Sequence, residues 1–158
     1  MSCDAVAFSA MLWLASTSAT AGPPQAASAI ISVPQSVAAD PLFADIVKRA
    51  GRLQREAEAF RHENLKGDLS GLSGFGTFQS GIGELAALDM KGHLTLAQRG
   101  TDGDLKCILR GISQDLPVKL HDLQAAADPK ARDLALREMT YLLRDNVEVI
   151  TSPPKPAA

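Results

Sequence analysis

DPKARDLALREMTYLLRDNVEVI, residues 128–150, is the stretch whose periodicity decides the fold. It opens on Asp128-Pro129, an acid at the N-cap followed by proline at the first helical position, where the missing N–H removes no intrahelical bond. Ala131, Leu134, Ala135, Met139, Leu142, Leu143 and Ile150 then return at helical spacing, and Val147 widens the stripe. That spacing places them on one side of an amphipathic helix, with charged residues on the other.

The same opening occurs earlier, at Asp40-Pro41. Behind it Leu42, Ile46, Val47, Ala50, Leu53, Ala57 and Phe60 share a face, which predicts a first helix ending near Gly67. The glycine-rich run Ser70-Gly71-Leu72-Ser73-Gly74-Phe75-Gly76 has neither the GxxxxGK[ST] nor the GxGxxG spacing of a phosphate cradle, and it reads as a flexible turn. A second helix is predicted from Thr77 to Gln98, with Ile82, Leu85, Ala86, Leu88 and Leu96 apolar. Gly81, Gly83 and Gly92 each cost it about 1 kcal/mol relative to alanine.

Residues 99–103 form a turn in which Thr101 or Asp102 can cap a third helix. Its buried face is Leu105, Ile108, Leu109, Ile112, Leu116, Leu120 and Leu123, and Pro117 inside it predicts a bend or a division into two pieces. The chain therefore reads as all-α: a four-helix bundle over residues 40–150, up-down-up-down because short connections favour antiparallel neighbours. With only five Phe, one Tyr and one Trp among 158 residues, the expected core is aliphatic.

The flanks are of a different kind. Residues 5–21, AVAFSAMLWLASTSATA, run from an apolar stretch into small residues ending in Ala19-Thr20-Ala21, the pattern of a secretory signal peptide. The expected signal is 1–21, although Met1 to Asp4 carries an acid and no base. An uncleaved anchor is the second reading of the same segment. Residues 22–39 are expected to be a flexible leader, and 151–158, TSPPKPAA, a disordered proline-rich tail. Cleavage would remove Cys3 and leave Cys107 alone, which excludes an internal disulfide framework in the mature chain.

A net charge of −2, with acids and bases interspersed, shows neither a nucleic-acid footprint nor a polybasic membrane patch. Lys48, Arg49, Arg52, Arg55 and Arg61 gather on the first helix, but Glu56, Glu58 and Glu63 lie among them, as on a solvated face. No nucleophile elbow, HExxH, CxxCH or paired Glu-x-x-His motif is present, so the sequence points away from an enzyme.

Two candidate sites remain. His62 and His121 fall at one end of the expected bundle and His93 at the other. Asp89 and His93, four residues apart, share a face that also carries Ile82, Leu85 and Ala86. Turned towards the core, they would pair and could offer a haem or a transition-metal ion an imidazole with its orienting carboxylate, with Met90 and Met139 as further haem ligands. If the helix instead ends near Gly92, both are exposed at a frayed terminus.

The second candidate is the side of the third helix opposite its leucines: Cys107, Gly111, Gln114, Val118, His121 and Ala125. Small and poor in charge, this stripe would admit a protein partner or a second copy, and an exposed odd cysteine would join the two by a disulfide. Burial of the third helix on both sides would instead leave Cys107 an inert core thiol. The expected function is that of an exported, periplasmic or secreted bundle with a non-enzymatic binding role and no membrane span after signal cleavage; a haem- or metal-binding bundle using Asp89 and His93 is the alternative.

Export carries its own check. Protein recovered from its native compartment is expected to begin at Gly22 or, as the lesser product, at Ile30, and N-terminal sequencing that finds intact Met1 on cytoplasmic protein would remove the assignment.

Overall fold

The computed structural model describes residues 37–62, 69–100 and 103–152; the signal segment, most of the leader and the tail from residue 153 lie outside them. Four helices carry the fold: α1 (Pro41–His62), α2 (Phe75–Gln98), α3 (Asp104–Ala125) and α4 (Pro129–Thr151). A 3-10 turn, Val37–Ala39, precedes α1, and another, Leu69–Gly71, precedes α2. No strand occurs among the described residues.

Helix starts follow the local chemistry. Asp40 Oδ1 accepts from the Leu42 N–H at 3.0 Å, and Asp128 Oδ1 accepts from the Ala131 N–H at 2.9 Å, so both Asp-Pro openings cap as their residue types dictate. The start of α3 differs from the expectation for Thr101 or Asp102. Gly103 occupies its N-cap without a side-chain bond, and Asp104 supplies the acid of the first turn, where the helix dipole favours negative charge.

Helix α2 begins two residues earlier than its periodicity suggested. Gly74 takes a left-handed conformation at φ 84°, which glycine adopts without steric penalty, and this turns Phe75 inward. Phe75 and Phe78 both meet the Phe60 ring edge-on, at 5.9 and 5.3 Å between centroids, an arrangement aromatic quadrupoles favour. Four of the five phenylalanines, Phe43, Phe60, Phe75 and Phe78, are buried. The core is thus aliphatic through its middle but closed at one end by an aromatic cluster.

Polar contacts give the directions of the helices. Arg99, just beyond α2, meets Asp40, just before α1, at 2.7 Å, while Phe60 near the end of α1 meets the start of α2; the two helices are antiparallel. His93 late in α2 meets the Lys106 carbonyl early in α3. Lys119 late in α3 meets Glu138 early in α4 at 2.8 Å, and Arg61 at the end of α1 meets Asp133 near the start of α4 at 3.0 Å. Each helix packs on the next and α4 returns to α1, which is the up-down-up-down bundle. Such exposed ion pairs add little stability each. They also account for the basic face of α1, since Arg49, Arg52 and Arg61 all lie against carboxylates.

The buried stripes depart from the sequence periodicity in detail. On α1, Phe43 is fully buried and Leu42 only half-buried; on α4, Leu136 is fully buried while Leu134 is exposed. Helix α3 runs as one element through Pro117, so it does not divide. Proline denies the Ser113 carbonyl its usual donor, and the Ser113 hydroxyl itself turns back to donate to the Arg110 carbonyl at 2.7 Å. Val37 and Ala38, expected in the leader, pack partly buried against the core, and Thr151, expected in the tail, ends α4.

The α2 glycines divide into two kinds. A Cβ on Gly92 would lie 3.1 Å from Leu109 Cδ1, 3.2 Å from Phe43 Cε1 and 3.4 Å from Ile46 Cδ1, whereas one on Gly83 would meet nothing within 4 Å. Both substitutions gain the helix propensity of alanine, about 1 kcal/mol, but only Gly92→Ala crowds α1 and α3 at once, at a cost of about 1–3 kcal/mol. Chemical denaturation is expected to show Gly83→Ala more stable than the parent and Gly92→Ala no more stable or less. The opposite order would mean that α1 and α3 do not rest on the α2 backbone.

Candidate functional site

Helix α2 continues past Gly92 to Gln98, and the aliphatic stripe that buries Leu85 and Leu96 carries Asp89 with it into the core. Asp89 is 0% exposed, and so is Asn146 on α4. The amide reaches across the bundle: Asn146 Nδ2 donates to Asp89 Oδ2 at 2.8 Å. Helices α2 and α4 stand diagonally opposite in the ring of four, so this bond crosses the core. The remaining oxygens, Asp89 Oδ1 and Asn146 Oδ1, have no hydrogen-bond partner.

Removing a carboxylate from water without a cation disfavours its charged form. Burial pushes the Asp89 carboxyl up to about 8, against a smaller downward pull from the Asn146 hydrogen bond. At neutral pH the group is therefore mainly the neutral acid.

The pairing of Asp89 with His93 is not formed. His93 is half-buried, and its Nδ1–H donates to the Lys106 carbonyl at 2.7 Å, tying α2 to the first turn of α3. One full helical turn apart, the two side chains serve different neighbours: the acid faces the diagonal helix and the imidazole the adjacent one. The frayed-terminus alternative also fails for Asp89, because α2 extends beyond it by more than two turns. Met139 is core filling, fully buried, and Met90 is half-buried. No group of three or more His, Cys, Asp or Glu suited to a metal ion occurs among the described residues.

On α3 the rotation reckoned from the leucines holds. Gln114, Val118, His121 and Ala125 are exposed, and Cys107 and Gly111 are half-buried. Cys107, expected as an odd reactive thiol in the mature chain, is not free in the full chain. Val118, 52% exposed, lies beside Lys119, whose ion pair reaches Glu138 on α4. Leu134 and Tyr141, 45% and 58% exposed, flank Glu138 along α4. Val118 on α3 and Leu134 and Tyr141 on α4 are thus exposed apolar side chains of the two adjacent helices that the Lys119–Glu138 pair joins. Arg144 stacks over the Tyr141 ring, 4.7 Å from its centroid, a cation–π contact that orders the ring.

Asn146 was not singled out from the sequence, although a signal was present. It stands seven residues after Met139 and four before Ile150, a polar residue inside an apolar stripe. No protein family, curated protein or solved structure matches the chain. Among the described residues no helix is long and apolar enough to cross a membrane.

The buried pair generates a thermodynamic expectation. Asn146→Leu removes the only donor to Asp89 and is expected to cost about 1–3 kcal/mol, whereas replacing both partners by apolar groups is close to neutral. The double variant Asp89→Leu/Asn146→Leu should therefore recover most of the loss in urea unfolding. Simple additivity of the two single losses would show that the residues do not act as a pair.

Proposed function

We propose that this protein is an exported helical bundle with a non-enzymatic role, acting by binding another protein on the side where α3 and α4 face solvent. The observation that carries the reading is the exposure of Val118 on α3 and of Leu134 and Tyr141 on α4, the two helices that the Lys119–Glu138 ion pair joins. Exposed tyrosine and aliphatic side chains beside charged groups are typical of protein-binding surfaces, where the apolar groups lose water and the charges set orientation. The stripe of Gly111, Gln114 and Val118 extends the same side with little charge. Export rests on the signal-like segment 1–21.

The test is site-specific photo-crosslinking in cells. A photoreactive residue at position 118 is expected to give one discrete protein adduct in the envelope or secreted fraction, and Tyr141→Lys should reduce it at least tenfold without altering helix content. The same probe at exposed Ser80 on α2 is the control. Equal adducts from both positions, or none from 118, would count against the reading, and an adduct of twice the chain's mass would identify the partner as a second copy.

A further inference from the structure

The two orphaned oxygens of the buried pair have complementary needs. A carboxylic acid offers one acceptor and one donor, and a primary carboxamide offers one donor and one acceptor. The observed bond, Asn146 Nδ2 to Asp89 Oδ2, uses one half of that match. The other half consists of Asp89 Oδ1 and Asn146 Oδ1, both buried and both without a partner. Two acceptors cannot satisfy one another, but a single proton on Asp89 Oδ1 provides the donor that both lack.

We propose that Asp89 and Asn146 form a proton-dependent latch across the bundle, in which neutral Asp89 donates from Oδ1 to Asn146 Oδ1 while Asn146 Nδ2 donates to Asp89 Oδ2. Loss of the proton leaves a buried carboxylate facing the amide oxygen and weakens the tie between α2 and α4. Among the described residues no other charge offsets this at Asp89. At the neighbouring Gly92, α1 contributes Phe43 and Ile46 and α3 contributes Leu109, all apolar. On α2 itself His93 is committed to the Lys106 carbonyl. Beside Asn146 on α4, the Asp145 carboxyl is raised by partial burial and opposed by Arg144. Asp40 and Arg99 pair with each other at the surface of this end. The titration of Asp89 depends on burial and the Asn146 bond alone.

The sign follows from proton counting. Unfolded Asp89 ionises near about pH 4, whereas the folded carboxyl holds its proton to about 8. Between those limits the folded state binds one proton more than the unfolded state, so Asp89's contribution to stability is fully present below the unfolded value and is lost as pH rises. The folding equilibrium constant should fall up to tenfold per pH unit through this window, then level off above the folded value. Acidification tightens the latch and mild alkali loosens it.

The deciding experiment is a carbon-13 NMR titration of aspartate-labelled full-length protein from pH 4 to 9, with Asp89→Asn used to assign the resonance. The Asp89 carboxyl carbon is expected to keep the shift of a neutral acid through pH 6 and to titrate above 7, while the Asn146 side-chain N–H protons exchange slowly below that point and faster above it. In unfolding measurements Asp89→Asn should flatten the Asp89 contribution to the pH dependence between 4 and 8. A carboxyl that titrates in the ordinary acid range overturns the latch. So does an Asn146 amide whose exchange is unaffected by the titration. If Asp89→Asn does not fold, assignment through Asn146→Asp, which retains a proton-sharing pair, leaves the wild-type titration decisive.

Discussion

A single buried hydrogen bond between Asn146 and Asp89 limits how the four helices can be arranged. Aliphatic stripes are permissive: leucine, isoleucine and alanine faces tolerate small slides and rotations with little change in buried area. A buried polar pair is not permissive, because moving either helix by one residue leaves both groups unpaired in an apolar interior. Since α2 and α4 are diagonal, this bond couples helices that the adjacent contacts relate only indirectly. Its worth is better described as specificity of register than as stability, in the manner of single polar residues in coiled-coil seams.

The same helix that holds Asp89 is the one richest in glycine. Taken alone, α2 is a poor helix, and its glycines are unfavourable to it. Gly81 and Gly92 nevertheless face inward, where Leu53 approaches the first and Leu109, Phe43 and Ile46 the second. Close approach of neighbouring side chains to a bare backbone compensates for weak intrinsic propensity, and it brings the backbone on either side of Asp89 against α1. Helix stability here belongs to packing rather than to the segment itself.

Much of the fold was legible in the chain. Two Asp-Pro pairs located helix starts because an N-cap carboxylate and an N1 proline act within one turn, and the apolar period located the four buried faces. Details that depend on phase were not legible. Leu134 and Leu136 are equally apolar, and only the packing of the bundle buries Leu136 and leaves Leu134 in solvent. Phe75 read as a loop residue until the Phe60 ring gave it a partner. Cys107 is half-buried, as Leu105 and Ile108 are, and the state of its sulfur was not written in its position.

The candidate site divides along the same line. From residues alone Asp89 was recognisable as an acid on an apolar face, and His93 as its natural companion one turn on. Which group would meet the acid was decided across the bundle, by a residue 57 positions away, and the imidazole went to the backbone of the adjacent helix instead. By itself the sequence determined helix content, the Asp-Pro starts of α1 and α4 and the order of the bundle, because these follow from spacing and capping within a few residues. Tertiary structure alone decided the partner of Asp89, the raised titration of its carboxyl and the use of the α2 glycines, because desolvation and close contact arise only when distant segments exclude water together.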